Sequence, residues 1–167
     1  MVHIYCGDGK GKTTAAIGLA VRMAGYGKKV MFVQFMKGSY TGELEMLIAR
    51  RNIKVMRCDR HYGFFRSMTD DDKEDIFQYH NANLRYVEWN MTDYDMLVLD
   101  EVFSAYNHDL LDRELLRDII DNYKGELVLT GRDPQEWFTE RADYITEMKK
   151  IKHPYDKGIK AREGIEF

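Results

Sequence analysis

The chain has 167 residues, 44% hydrophobic and 32% charged, which fits one domain with a sizeable core. Its 28 acidic and 25 basic side chains leave a net charge of −3, so the bulk charge gives no argument for nucleic acid or a membrane surface as partner. The two cysteines, Cys6 and Cys58, make neither a metal-ligand spacing nor a disulfide framework, no stretch reads as a secretory signal or a bilayer span, and a cytoplasmic location is expected.

The first predicted element is a buried strand, Val2-His3-Ile4-Tyr5-Cys6. A glycine loop follows, Gly7-Asp8-Gly9-Lys10-Gly11-Lys12-Thr13-Thr14, and then apolar residues at helical spacing from Ala15 to Met23. Strand, glycine loop, Lys-Thr and helix form the pattern of a phosphate-binding loop. Glycines let successive backbone N–H groups turn inward on a polyphosphate, and the helix adds its dipole and unpaired donors. Lys12 supplies a point charge, and the Thr13 hydroxyl is suited to a magnesium ion shared with the phosphates. The match to G-x-x-x-x-G-K-[ST] has one flaw: the first glycine position falls on Cys6, and glycine arrives one place late, at Gly7.

Gly25 and Gly27 stop the helix, and Lys29 to Phe35 is a near-continuous apolar run, as expected of a strand covered on both faces in a parallel sheet. A loop from Gly38 to Gly42 and a short helix from Glu43 to Arg51 lead to a more alternating strand, Ile53 to Cys58, expected nearer an edge. The segment Asp59 to Met68 is a loop rich in aromatics, with Tyr62, Phe64 and Phe65 among them, and its simplest reading is satellite core under the next helix. Thr69 is the expected cap of a long helix with Asp70-Asp71-Asp72 in its first turn and an apolar stripe of Ile76, Leu84, Val87 and Met91. His80 lies on that stripe and reads as a hydrogen-bonded core histidine.

Met96-Leu97-Val98-Leu99-Asp100-Glu101 is the second chemical signal: a buried strand ending in acids, downstream of a phosphate loop, where a carboxylate holds magnesium directly or through water. A helix carrying Leu111, Leu115, Leu116, Ile119 and Ile120 follows, then the buried strand Glu126 to Thr130, ending at Gly131-Arg132-Asp133. Arg132 sits where open α/β sheets place their ligands and either reaches a phosphate or pairs with a surface acid. Asp133, Pro134 and Glu136 read as a helix start, and a last strand is expected near Tyr144 to Met148. The lysine- and glycine-rich segment from Lys149 to Phe167 reads, on composition alone, as a solvated and partly mobile end. The alternation of strands and helices gives a three-layer α/β domain of the P-loop NTPase type, with a mostly parallel sheet and residues 1–167 as one unit.

Several stretches resemble one family, the ATP:corrinoid adenosyltransferases of the cob(I)yrinic acid a,c-diamide type. The loop Gly7 to Ala16 is similar to theirs, late glycine included. Val33-Gln34-Phe35-Met36-Lys37-Gly38, Leu97 to Glu101 and Leu129-Thr130-Gly131-Arg132 match in order and spacing. Lys152 to Gly158 and Gly164 to Phe167 resemble the family's ending, so the tail is expected to be ordered. The resemblance implies attack of corrin cobalt(I) on the 5′ carbon of ATP with expulsion of triphosphate, in adenosylcobalamin biosynthesis or salvage. The nucleophile then belongs to the substrate, and the protein presents the carbon in line and stabilises the leaving group.

Carried over, Gly7, Asp8, Gly9, Lys10, Gly11, Lys12, Thr13, Thr14 and Arg132 bind ATP. Lys12, Thr13 and Glu101 are catalytic, and Thr13 and Glu101 hold Mg2+, with Asp100 in a supporting role. The aromatic loop, through Phe64 and Phe65, meets the corrinoid; Arg66 stands where the family's Gly-Phe-x-Trp segment has tryptophan. The family also implies a homodimer and a reductant such as a flavoprotein. Its members often carry an N-terminal extension that covers the corrinoid site; this sequence starts at its first strand, so a more open site, or one covered by another element, is expected. Two other readings fit the loop and the acidic strand: an ordinary P-loop ATPase or kinase with Glu101 activating water or a hydroxyl, and a non-catalytic nucleotide- or corrinoid-binding module.

Overall fold

The computed structural model describes residues 1–63 and 65–166. Its strands are β1 (Val2–Cys6), β2 (Val30–Gln34), β3 (Ile53–Arg57), β4 (Met96–Asp100), β5 (Glu126–Thr130) and β6 (Tyr144–Glu147). They form one six-stranded sheet in the order β3-β2-β4-β5-β1-β6, and every pairing is parallel. The helices are α1 (Lys12–Gly25), α2 (Glu43–Ile48), α3 (Asp70–Asn90), α4 (Val102–Asn107), α5 (Arg113–Asn122) and α6 (Glu136–Thr139).

The apolar runs of β2 and β4 are buried at every position, because helices cover both faces of the sheet. Alternate residues serve opposite sides. Val30, Phe32, Met96 and Val98 pack with Ala16 and Ala20 of α1; Met31, Val33, Leu97 and Leu99 pack on the other face with Leu84 of α3, Phe103 of α4 and Leu116 of α5. The small α1 residues let that helix lie close over the sheet, which brings its N-terminus to the end of β1. The more alternating β3 is an edge strand, as its pattern predicts.

The Thr69 cap forms as expected: its hydroxyl accepts from Asp72 N at 3.1 Å while the Asp72 carboxylate accepts from Thr69 N at 2.9 Å. Other expectations are corrected. The helix after the glycine loop begins at Lys12 rather than Ala15, so Lys-Thr-Thr is its first turn. The helix after Glu43 ends at Ile48, short of Arg51. The helix expected from Leu111 is α5, which begins at Arg113, so Leu111 is buried in the turn before it; the short helix α4 after Glu101 was not expected. Asp133 does not cap α6: it stands at φ 52, its carbonyl accepts from Asn107 Nδ2, and Gln135 takes the cap position without a side-chain bond. Strand β6 is exposed at all four positions, since it lies at the sheet's second edge and, among the described residues, pairs with β1 alone.

The tail is structured in part. His153 Nδ1 accepts from Tyr155 N, capping a 3-10 turn at Pro154–Lys157, and Arg162 pairs with Glu166.

Candidate active site

The glycine loop is built against the end of β6. Gly9 N donates to Met148 O at 2.6 Å, and the Asp8 carboxylate accepts from Lys150 N at 2.9 Å, which lowers the Asp8 pKa. A Cβ on Gly7 would stand 2.6 Å from Met148 O, and one on Gly9 2.5 Å from it; Gly7 and Gly11 also take φ of 98 and 115. This explains the late first glycine. Strand β1 continues through Cys6, whose side chain is buried, and the backbone turns only at Gly7.

Lys12 is buried, and its Nζ donates to Gly7 O at 2.8 Å and Gly9 O at 2.7 Å, folding the loop around its own cation. Burial pushes its pKa down. Beside it, Asp100 at the end of β4 is fully buried and saturated with donors: Thr13 Oγ1 at 2.9 Å, Thr130 Oγ1 at 2.7 Å, Lys37 Nζ at 2.8 Å and Gln34 Nε2 at 3.3 Å. Glu101 follows in the left-handed region at φ 59, with its N–H on Thr130 Oγ1 at 2.9 Å. Its carboxyl makes no hydrogen bond among the described residues, and burial raises its pKa against the opposing charges of Lys37, Lys12 and Arg132. Strand end and bend thus separate two adjacent acids into different tasks. Asp100 organises side chains, and Glu101 faces the open space.

That space is a cavity of about 770 Å³. Asp8, Gly9, Lys10, Gly11, Lys12, Thr13, Thr14, Glu101 and Arg132, assigned to nucleotide or metal from the sequence, all line it; Gly7 lies behind, its carbonyl on Lys12. Lys37, residues 41–43 at the start of α2, His153 and the turn at Gly164–Glu166 also line it, so the tail reaches over the loop. In the sequence Lys37 stands only as part of a strand exit, with no role attached to it. The signal available was a lysine just past the C-terminal end of a buried parallel strand, the end where such sheets bind ligands. Gln34 and Thr130, which serve Asp100, and the backbone at Met148 carried no such signal.

Hard oxygen donors suit magnesium. Among the described residues no three His, Cys, Asp or Glu side chains cluster as a metal cage. The Thr13 hydroxyl and the unengaged Glu101 carboxylate fit the other arrangement, in which one or two protein oxygens share the ion with phosphates.

The aromatic loop packs differently. Tyr62 donates to Asp75 at 2.6 Å, Arg60 pairs with the same carboxylate, and the Phe65 ring stacks on His108 with centroids 3.9 Å apart. These rings pack against the core as satellites, and Phe65 does not line the cavity. The Phe64 expectation lies outside the described residues, and Arg66 is exposed. His80 is fully buried, as a core histidine: Nε2 accepts from Met36 N at 3.3 Å, and burial lowers its pKa to about 4. That bond ties down Met36 at φ 58, the bend from which Lys37 enters the site.

A glycine loop between the first strand and helix of a parallel sheet, facing an acid pair at the end of a neighbouring region of that sheet, defines a P-loop-type nucleotide-binding protein. The chain matches the family of ATP:corrinoid adenosyltransferases (BtuR/CobO/CobP) over residues 1–167, and it belongs to that family. A corrinoid adenosyltransferase of Pseudomonas aeruginosa is 34% identical over 173 residues, covering 98% of this chain and 82% of the relative. One from Sinorhizobium is 32% identical over 182 residues, with 100% and 80% covered, and one from Escherichia coli K12 is 28% identical over 172 residues, with 100% and 85% covered. The family is one of transferases that move the adenosyl group of ATP to corrinoid cobalt(I). Among the described residues no helix is long and apolar enough to cross a membrane.

Proposed function

We propose that residues 1–167 act as one domain that transfers the 5′-deoxyadenosyl group of ATP to the cobalt(I) of a reduced corrinoid, releasing triphosphate. The cobalt electron pair forms the Co–C5′ bond, and the C5′–O bond breaks with its electrons leaving on the triphosphate. The observation that carries this reading is the convergence of Lys12, Lys37 and Arg132 with the N-terminal turn of α1 on one cavity. Such a cradle stabilises charge developing on a leaving polyphosphate and asks for no protein nucleophile. The backbone from Gly7 to Thr14 holds the triphosphate, Lys12 moves from the loop carbonyls to its oxygens, and Arg132 meets it from the rim. Thr13 and Glu101 hold the magnesium ion, which supplies further positive charge to the triphosphate when bound.

The corrinoid is placed against the loop of Phe64 and Phe65, a homodimer is the working form, and a flavoprotein-type reductant supplies cobalt(I) in the cytoplasm. The test is anaerobic incubation of the protein with Mg-ATP and chemically reduced cob(I)alamin in dim light. A light-sensitive adenosylcorrinoid spectrum with stoichiometric triphosphate is expected. ADP or pyrophosphate would mean a kinase or ATPase, and ATP left intact a binding module. Lys12→Ala should lower the transfer rate by roughly 10²–10³ with an unchanged far-UV spectrum. Near-normal turnover would remove the loop from the mechanism.

A further inference from the structure

Lys37 stands where a divalent cation would stand. Its Nζ donates to Thr13 Oγ1 at 2.7 Å and to Asp100 Oδ2 at 2.8 Å, while the Thr13 hydroxyl donates its own proton to Asp100 Oδ1 at 2.9 Å. With that proton committed, Thr13 offers the cavity only its oxygen lone pairs, and Lys37 is the group that takes one. A metal bound through Thr13 would bring a second positive charge onto the oxygen that already accepts from the Lys37 ammonium. Asp100 is fully buried, and its other side-chain partners, Thr130 and Gln34, are neutral; Lys37 is its one ion-pair partner among the described residues. A buried carboxylate without a cation is costly, so the ammonium answers a need of the buried Asp100 itself.

We propose that Lys37 is the resident counter-cation of this site, displaced from Thr13 and Asp100 when a divalent metal enters and re-partnered with the triphosphate. The inference rests on the reading of the cavity as a triphosphate site. The lysine is built for such a transfer. Its backbone is fixed by the Met36 bend and the Met36–His80 bond, while its side chain is 27% exposed and lines the cavity. A compact charge on a flexible stem can change partners without moving the chain that carries it. The consequence is coupling. Metal frees the ammonium for the triphosphate, the triphosphate gives it a new partner, and each ligand strengthens the other reciprocally. Lys12 differs in kind, because its present partners are the loop carbonyls rather than the metal-binding oxygens.

The experiment measures Mn2+ affinity by the loss of free Mn2+ EPR signal, with and without inorganic tripolyphosphate, in the wild-type chain, Lys37→Met and Lys37→Gln. Without tripolyphosphate both variants should bind Mn2+ about tenfold more tightly, the size of a partly screened charge contact removed. The enhancement by tripolyphosphate should be smaller in the variants than in the wild type. Unchanged or weaker Mn2+ binding in the folded variants overturns the proposal. Should neither variant fold, the wild type still decides. Mass spectrometry should show Lys37 acylation rising as Mn2+ is added, and flat reactivity while Mn2+ binds would overturn it too. Adenosyl transfer by the wild type is read separately. Turnover with unaltered Mn2+ binding in the variants defeats Lys37's role alone; tighter Mn2+ binding without triphosphate release upholds it and defeats the activity.

Discussion

The glycine loop at residues 7–14 and the aromatic loop at residues 59–68 are both loops of the site's neighbourhood, yet they are held by different physics. The first is made of backbone. Gly7 and Gly11 take conformations that side chains resist, Gly9 has a carbonyl where a Cβ would go, and Lys12 binds two main-chain oxygens. The second is made of side chains: Tyr62 and Arg60 on Asp75, and Phe65 stacked on His108. A backbone-built loop admits few sequences. A side-chain-built loop admits many, which is the physical room for Arg66 at a place where the resemblance implies tryptophan. The Lys37 segment links the two: Lys37 Nζ donates to Thr13 Oγ1, and Gly38 lies so close to Arg60 O that a Cβ there would collide with it.

The most severe way to break the contrast is Gly9→Ala, which sets a methyl against Met148 O, a main-chain atom with little room to retreat. We expect a stability loss of about 2–4 kcal/mol and no measurable ATP binding, read by urea unfolding and calorimetry. ATP binding at wild-type strength would show that the backing strand is dispensable. A middle-sized test lies at the junction. His80 has a pKa of about 4 in the fold against its ordinary 6.5, so the unfolded chain takes up the proton first as the pH falls. Stability from this group is therefore complete above pH 6.5 and is lost as pH falls through 4, by about 3 kcal/mol. Urea midpoints across that range should slope in the wild type and flatten in His80→Gln; parallel slopes would reject the assignment. The gentlest test is Arg66→Trp. On an exposed site it should change stability by less than about 0.5 kcal/mol and leave ATP affinity alone, while raising the rate with cob(II)alamin and reductant severalfold. An altered ATP affinity would mean that the two loops are not separable.

The same difference decides what could be read from the sequence. Apolar runs such as Val30–Gln34 and Met96–Asp100 announce buried parallel strands because both faces are covered, and the Gly-Lys-Thr sequence announces its loop because the conformation excludes most residues. The Asp133 cap failed because Asp also tolerates the left-handed conformation, and the hydrogen bond from Asn107 Nδ2 to its carbonyl holds it there. Leu111 looked helical because burial in a turn and burial on a helix face leave the same apolar letter. At the site, Lys12, Thr13 and Glu101 were legible from motif position. Lys37 was not, since its partner Asp100 lies 63 residues away. The tail's role in walling the cavity was invisible in composition, which sees only lysine and glycine.

The hydrogen bond from Gly9 to Met148 also sets a timetable. A chain made from its N-terminus presents the loop before the segment that backs it. Until the segment that follows β6 has emerged and docked beside β1, the loop lacks the carbonyl and the Lys150 amide that shape it. A growing or truncated chain can thus display the whole Gly-Asp-Gly-Lys-Gly-Lys-Thr sequence and still hold no nucleotide, and competence for ATP becomes a signal that β6 and the residues after it are in place.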